Sequence, residues 1–384
     1  MDIFKAGSLK NILRRYLIDY RHCNRSATLS AISEVVAYDR TYISRLLNGK
    51  KDSEKALIHI IKKLVPSFII DKKVIAEGRE LLDKILIAYY MDDDLSLFED
   101  RFMENKTIFL DSSLRYRYMF YDILLMDEDK DFSECASLIE DGVIDSDDIG
   151  LFHLVLAKRY LDARSYEQAK ECCLKTLSFG SNDLICALAC HRLSIALSFL
   201  EDYHEAIDNA KRAKRAYEIY GAHKRIESID LILGVLYQYT KEDKKAIDLY
   251  KGLLEAKDVT IISKAFEQLL FAYIKNDMRY EAYRLIEQKP NDADTYEINN
   301  LILCYSYIFD DHELFERQSL LLASQEGHAP YTYITQMLEQ IKNGDDCKVQ
   351  ESLDKIMKDI DKEDDEYFII DKIMLHYHGD DHRI

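Results

Sequence analysis

Apolar residues recur along this chain at the three-and-four spacing of amphipathic helices. Leu9, Ile12, Leu13, Tyr16 and Leu17 share one side of residues 9–20, with Lys10, Arg14 and Arg15 elsewhere on the cylinder. Leu29, Ile32, Val35 and Val36 make a second face, Ile43, Leu46 and Leu47 a third, and Leu57, Ile60, Ile61, Leu64 and Val65 a fourth that stops at Pro66. Between the second and third faces lies Ala37-Tyr38-Asp39. A tight turn between two short helices needs a small residue where the backbones approach and then a capping side chain, which Ala37 and Asp39 supply. The runs 74–90, 95–109 and 114–126 keep the same spacing and predict paired antiparallel helices.

Further along, the pattern repeats as whole units. The windows 156–169, 193–206, 233–246 and 269–282 each open with Leu and close with Ala, and their Ala positions are 37, 40 and 36 apart. A degenerate fifth copy, 303–316, follows at spacing 34 and ends in Glu316. Cys135, 34 residues before Ala169, marks a candidate earlier copy. One such unit cannot bury its own apolar face, so the units must stack into a superhelix with a concave groove.

Composition agrees with an all-α fold. Only 12 Gly and 3 Pro occur in 384 residues, too few for an architecture that turns every few positions. Eight Cys are too dilute for a disulfide scaffold and read as reduced thiols. The amino terminus lacks a basic stretch followed by an apolar run, and no long uncharged apolar segment occurs, so a cytoplasmic protein with no membrane partner is expected.

Charge divides the chain more sharply than hydropathy. The total is -18, but residues 1–66 hold 13 Lys and Arg against 6 Asp and Glu, a net of +7. The remaining 318 residues hold 39 against 64, a net of -25. A small basic head on a large acidic body points to a polyanion met only by the head. The expected division is therefore a polyanion-binding domain over 1–66, which the resemblance below makes a DNA-binding domain, and a repeat superhelix over 67–384.

Within the head, Ser33, Ala37, Tyr38, Ile43 and Ser44, with Gly49 closing the second helix, resemble the helix-turn-helix of the phage-repressor class, although Ala37 stands where that class has Gly and Tyr38 where it has Val. The resemblance implies that Arg40, Thr41, Tyr42, Ser44 and Arg45 face outward to read a double-stranded DNA operator. Arg25, Lys50 and Lys51 would then flank them as phosphate contacts. The alternative is a helical hairpin with a solvated basic face.

The repeats resemble the tetratricopeptide repeat. Its small positions fall on Ala157, Ser194, Gly234 and Cys304, its aromatics on Tyr160, Tyr237, Tyr273 and Tyr307, and its packing Ala on Ala169, Ala206, Ala246 and Ala282. Leu197 and Leu270 depart from the pattern. In that phase Lys158, Asp162, His191, Ser198, Ser228, Gln238, Tyr239, Lys264, Glu267, Phe271, Lys275 and Tyr305 line the concave groove, with Asn300 close by. Polar and aromatic walls of this kind suit an extended peptide, and they equally describe solvated helix faces.

Other clusters carry less. Cys172, Cys173, Cys186, Cys190 and His191 lack the CxxC knuckle of a structural zinc site. Asp127, Asp129 and Asp131 imitate a calcium loop, but Phe132 stands where its Gly is required. His376, His378, Asp380, Asp381 and His382 read as a mobile terminus. No phosphate-binding Gly loop, nucleophile elbow or zinc-protease helix occurs, so no metal, cofactor or enzymatic activity is expected.

A helix-turn-helix followed by some 300 residues of repeats resembles the peptide-pheromone receptors of Gram-positive bacteria and their phages, the Rap, Npr, PlcR and PrgX class. The segment 46–66, LLNGKKDSEKALIHIIKKLVP, brings it nearest to the arbitrium receptors that set phage lysis against lysogeny. The resemblance implies a homodimeric transcription regulator controlled by a short intracellular signalling peptide, with carboxy-terminal helices around 334–343 and 350–360 capping the solenoid and joining the protomers. It leaves open whether the peptide releases or promotes DNA binding. The competing expectation is a repeat scaffold that inhibits a partner protein without touching DNA.

Overall fold

The computed structural model of the chain describes residues 8–92, 94–126, 132–179, 183–290, 293–325, 327, 329–360 and 365–379. Among them every regular element is an α-helix, 22 in all. The chain divides into two compact units, Met1–Arg225 and Ile226–Ile384.

The first unit opens with α1 (Leu9–Cys23), α2 (Leu29–Val36), α3 (Arg40–Leu47) and α4 (Glu54–Leu64). Local chemistry starts and stops each of them. Thr28 caps α2 by accepting from the Ala31 amide, and Asp39 caps α3 by accepting from Thr41. Ala37, left-handed at φ 56°, ends α2 as the turn pattern requires, while Ser33 donates 2.6 Å to the Tyr38 carbonyl. Leu17, Ile32, Ile43, Leu46, Leu57 and Ile60 bury together at the centre. Val35 does not join its expected face: it is 53 % exposed, one position beyond the stripe that Ile32 and Val36 define.

Four helices follow, α5 (Lys72–Met91), α6 (Ser96–Glu104), α7 (Lys106–Leu110) and α8 (Arg115–Leu125). The expected single helix over 95–109 is broken at Asn105, which ends α6 and begins α7. Through α1 the head is fixed to the helices behind it. Tyr116 on α8 donates 2.7 Å to Asp19, and Arg115 lies over the Tyr16 ring. The helix α9 (Ser133–Glu140) packs on α8 and buries Cys135. Just beyond it, Asp141 pairs with Arg15 and Gly142 accepts from Asn11.

The repeat units then appear as helix pairs. These are α10 (Ser146–Asp162) with α11 (Tyr166–Phe179) and α12 (Asp183–Phe199) with α13 (Tyr203–Tyr220), followed by α14 (His223–Tyr239) at the division between the units. The second unit continues with α15 (Asp243–Leu253), α16 (Val259–Lys275) on α17 (Arg279–Glu287), and α18 (Tyr296–Ile308) on α19 (His312–Ala323). First helices also stack on one another, α10 on α12 and α16 on α18. This serial pairing is the layout of an α-solenoid.

Each first helix ends in the same way. Arg164, Glu201, Lys241, Asp277 and Asp310 are left-handed, at φ between 55° and 62°. The amide after each reaches five residues back: Ser165 to Tyr160, Asp202 to Leu197, Glu242 to Tyr237, Met278 to Tyr273 and Asp311 to Ser306. That six-to-one bond is the Schellman closure of a helix end, made here without glycine. Four residues past each of the first four closures sit Ala169, Ala206, Ala246 and Ala282, all fully buried at the helix crossing.

The turn register corrects the fifth copy. Its left-handed residue falls one position early, so Phe315, buried, occupies the Ala place and Glu316 is exposed. Leu303 and Ser306 accordingly replace Cys304 and Tyr307 as the small and aromatic positions.

A sixth pair, α20 (Tyr331–Lys342) on α21 (Asp346–Asp359), closes through Gly344 with the same bond, Asp345 to Gln340. These helices, expected to join protomers, bury Ile334, Met337, Leu338, Val349 and Ile356 within the unit itself. The last helix, α22 (Asp365–Gly379), packs on α16 and α18. It holds His376 and His378 in regular structure, contrary to the expected mobile terminus; Asp380, Asp381 and His382 lie outside the described residues. No described helix is long and apolar enough to cross a membrane.

Candidate functional site

The basic residues on α1 and those on and beside α3 differ in their partners. Those on α1 are spent on the fold: Lys10 pairs with Asp52, Arg14 donates 2.9 Å to the Leu46 carbonyl, Arg15 pairs with Asp19 and Asp141, and Arg21 reaches the Ala27 carbonyl. By contrast Arg25, Arg40, Arg45, Lys50 and Lys51 are exposed, and their side chains make no hydrogen bond or ion pair among the described residues. Arg40, Thr41 and Arg45 present an outward face on α3, because Ile43, Leu46 and Leu47 take its inner face. Tyr42 and Ser44 are half-buried: Tyr42 leans on Tyr38, ring centroids 5.3 Å apart, and Ser44 accepts from Asn48. The carboxyl of Asp39 is held below its usual range by the Thr41 backbone amide, so the N-cap stays ionised.

Within the first unit a cavity of about 470 Å³ opens between the ends of α5 and α8 and the stacked first helices. Lys158, Arg159, Arg192 and Arg225 line it against two carboxylates, Asp92 and Asp162. Arg192 is 8 % exposed and is fixed by the Leu154 carbonyl and, at 2.9 Å, the Tyr89 hydroxyl. Arg225 donates to the carbonyls of Tyr89 and Tyr90, at 2.9 and 3.1 Å, and pairs with Asp92. Of the expected groove residues, Lys158 and Asp162 belong to this cavity. The three arginines were not expected. Arg192 carried a signal, as a lone charge inside the apolar run ALACHRLSIAL.

In the second unit, a partly open cavity of about 150 Å³ is lined by one residue of α14, three of α16, four of α18, two of α20 and Ile369 of α22. Four expected residues, Tyr239, Glu267, Phe271 and Asn300, come together there. Glu297, Gln268, Cys304 and Tyr331 join them. Asn300 is positioned by donating to the Tyr331 carbonyl and Thr335 hydroxyl, 3.0 and 2.9 Å. The Gln268 carbonyl oxygen is buried with no hydrogen-bond partner. The lining carries two carboxylates and no cation.

The other expected groove residues lie elsewhere. His191 is a core residue facing the Tyr217 hydroxyl at 3.3 Å; burial, then Arg225 and Arg192, push its imidazole down to about 3. Gln238 is buried and accepts 3.0 Å from Tyr250, and Tyr305 is buried and donates 3.1 Å to the Arg279 carbonyl. Ser198 bonds within its own helix to Ile195, Lys275 pairs with Asp243, Ser228 is half-buried and Lys264 is exposed. A first helix is wedged between its pair partner and its neighbours, so a small error in phase moves a residue from the open face into packing.

Among the described residues no group of three His, Cys, Asp or Glu is placed to hold a metal ion. Cys172, Cys173 and Cys190 are buried thiols, which burial raises above their ordinary range. Asp127, Asp129 and Asp131 lie outside the described residues. No protein-family model matches the chain, and a search of curated proteins returns no significant match.

Proposed function

We propose that this protein is a DNA-binding transcriptional regulator whose repeats receive a short linear signalling peptide. The observation that carries the reading is the contrast between α1, whose cations are consumed by the fold, and the set on and beside α3, where Arg40, Arg45, Lys50 and Lys51 are exposed and make no ion pair among the described residues. Unpaired cations on a short outward helix are what a phosphate backbone and guanine edges require. On this reading α2 and α3 are a helix-turn-helix, α3 enters the major groove, and Arg25, Lys50 and Lys51 grip phosphates. A homodimer would place two heads on paired half-sites, acting in the cytoplasm without a cofactor.

The cavities support the peptide half of the reading. The cation-lined cavity of the first unit suits a carboxylate, such as a peptide terminus; the acid-lined cavity of the second suits an amine or a basic side chain. Each chemistry, taken by itself, is one that a free peptide end or a charged peptide side chain supplies. This agrees with the resemblance to arbitrium receptors.

Selection of a randomised DNA duplex pool by the full chain tests the DNA half, with recovery of a recurrent paired motif expected. Affinity selection from a pool of short peptides, free against carboxy-amidated, tests the other half. Capture lost on amidation and by Arg225→Ala is expected. A chain that enriches no duplex sequence but holds a protein partner would overturn the reading in favour of an inhibitory scaffold.

A further inference from the structure

Every residue lining the second unit's cavity, except one, sits on a first helix of the solenoid. The exception is Ile369, on α22. Lacking a pair partner, α22 is attached in two ways. Ile369, Ile370 and Ile373 form a buried seam, with the Phe368 ring 6.1 Å from Phe271. Beyond the seam, three polar side chains reach the turns or helix starts of successive repeats. Lys372 donates 2.8 Å to the Ile274 carbonyl and pairs with Asp277, His376 meets Asp310 at 3.2 Å, and Tyr377 donates to Asp346. The opposite side of α22 faces solvent, with Leu375 64 % exposed.

We propose that α22 is a strap that walls one side of this partly open cavity, its polar latches holding Ile369 against the first helices so that the site widens for a ligand when the strap lifts. An element held by a short seam and surface latches opens locally at lower free energy than the helix pairs beneath it. The latches suit this role because their acceptors, Asp277, Asp310 and Asp346, sit at the mouths of three repeats. The gate holds whatever ligand the cavity takes, and so stands apart from the peptide reading.

Cys304 reports on the gate from inside. It lines the cavity at 1 % exposure, and burial pushes its thiol up to about 12, so with the strap in place it stays protonated and unreactive. The test is alkylation of the full chain with N-ethylmaleimide, read cysteine by cysteine by mass spectrometry. The double variant Lys372→Met, Tyr377→Phe removes two latches and keeps the isoleucine seam. Cys304 labelling is expected to rise about tenfold, with Cys135 and Cys173 unchanged. An unchanged Cys304 rate overturns the proposal, as does a rise shared by all three thiols, which would make the latches supports of the whole fold. Labelling of Cys304 in the unaltered chain as fast as exposed Cys347 would overturn it too.

Discussion

The ring of Tyr250 lies directly against the bare backbone of Gly234: a Cβ added to the glycine would stand 2.3 Å from the ring's Cε1. Tyr250 is fully buried and anchored through its hydroxyl to Gln238 four residues further along α14, so the ring cannot retreat. Gly234→Ala should therefore destabilise by about 1–3 kcal/mol, despite a helix-propensity gain of ~1 kcal/mol. Gly252 on α15, with nothing within 4 Å of its added Cβ, is the control. Gly252→Ala is expected to stabilise by up to ~1 kcal/mol. Urea denaturation of the two variants separates a packing requirement from a propensity effect.

A buried ion pair ties α5, α8 and α10 together. Arg117 donates 2.9 Å to Asp148, which is 1 % exposed, and 2.7 Å to Asp83, while Tyr121 donates 2.7 Å to Asp148. Removing one partner strands the other in low dielectric. Asp148→Asn and Arg117→Met are each expected to cost about 3–5 kcal/mol, and the double variant less than their sum. A strictly additive double-mutant cycle would contradict the coupling.

Acid should weaken the first unit through its histidines. His191 and His153 titrate at about 3 and about 4 in the folded chain, both below the ordinary 6.5, chiefly because burial disfavours the cation. The unfolded chain therefore binds protons that the folded chain refuses. Their contribution to stability is complete above pH ~6.5 and falls as pH drops toward those folded values. For His191 the slope approaches about 1.4 kcal/mol per pH unit. His191→Gln should flatten the loss of stability between pH 6.5 and 4.5, as read from urea midpoints; a variant as acid-sensitive as the parent would contradict this.

The sequence made the repeats legible because packing there is strict. Ala169, Ala206, Ala246 and Ala282 are fully buried where two helices cross, and their recurrence makes the spacing a visible pattern. The fifth pair was read one position out of register and the sixth was not read as a repeat, because Phe315 and Val349 fill that place and their turns are marked by the left-handed Asp310 and Gly344. At the cavities, Lys158, Asp162, Tyr239, Glu267, Phe271 and Asn300 were legible in the repeat phase, and Arg159, Arg192 and Arg225 were not. Arg192 and Arg225 are placed by carbonyls of Leu154, Tyr89 and Tyr90, partners more than 30 residues away that no periodicity reports. The head was read in outline: Ala37 and Asp39 make the turn and the cap, but the pairing that spends Arg14 and Arg15 and leaves Arg40 and Arg45 unpaired is tertiary.

That difference between arginines gives the most direct test of the account. Binding of the full chain to its selected duplex, or to mixed-sequence duplex, is measured by fluorescence anisotropy across a salt series, with Arg40→Ala, Arg45→Ala as the variant and Lys264→Ala as a surface control. The account predicts tight, salt-sensitive binding by the parent. It predicts a loss of about 2–6 kcal/mol of binding free energy, with a shallower salt dependence, for the Arg40 and Arg45 pair, and no change for the Lys264 control. No measurable duplex binding at low salt, or equal affinity and salt slope for parent and double variant, would contradict it.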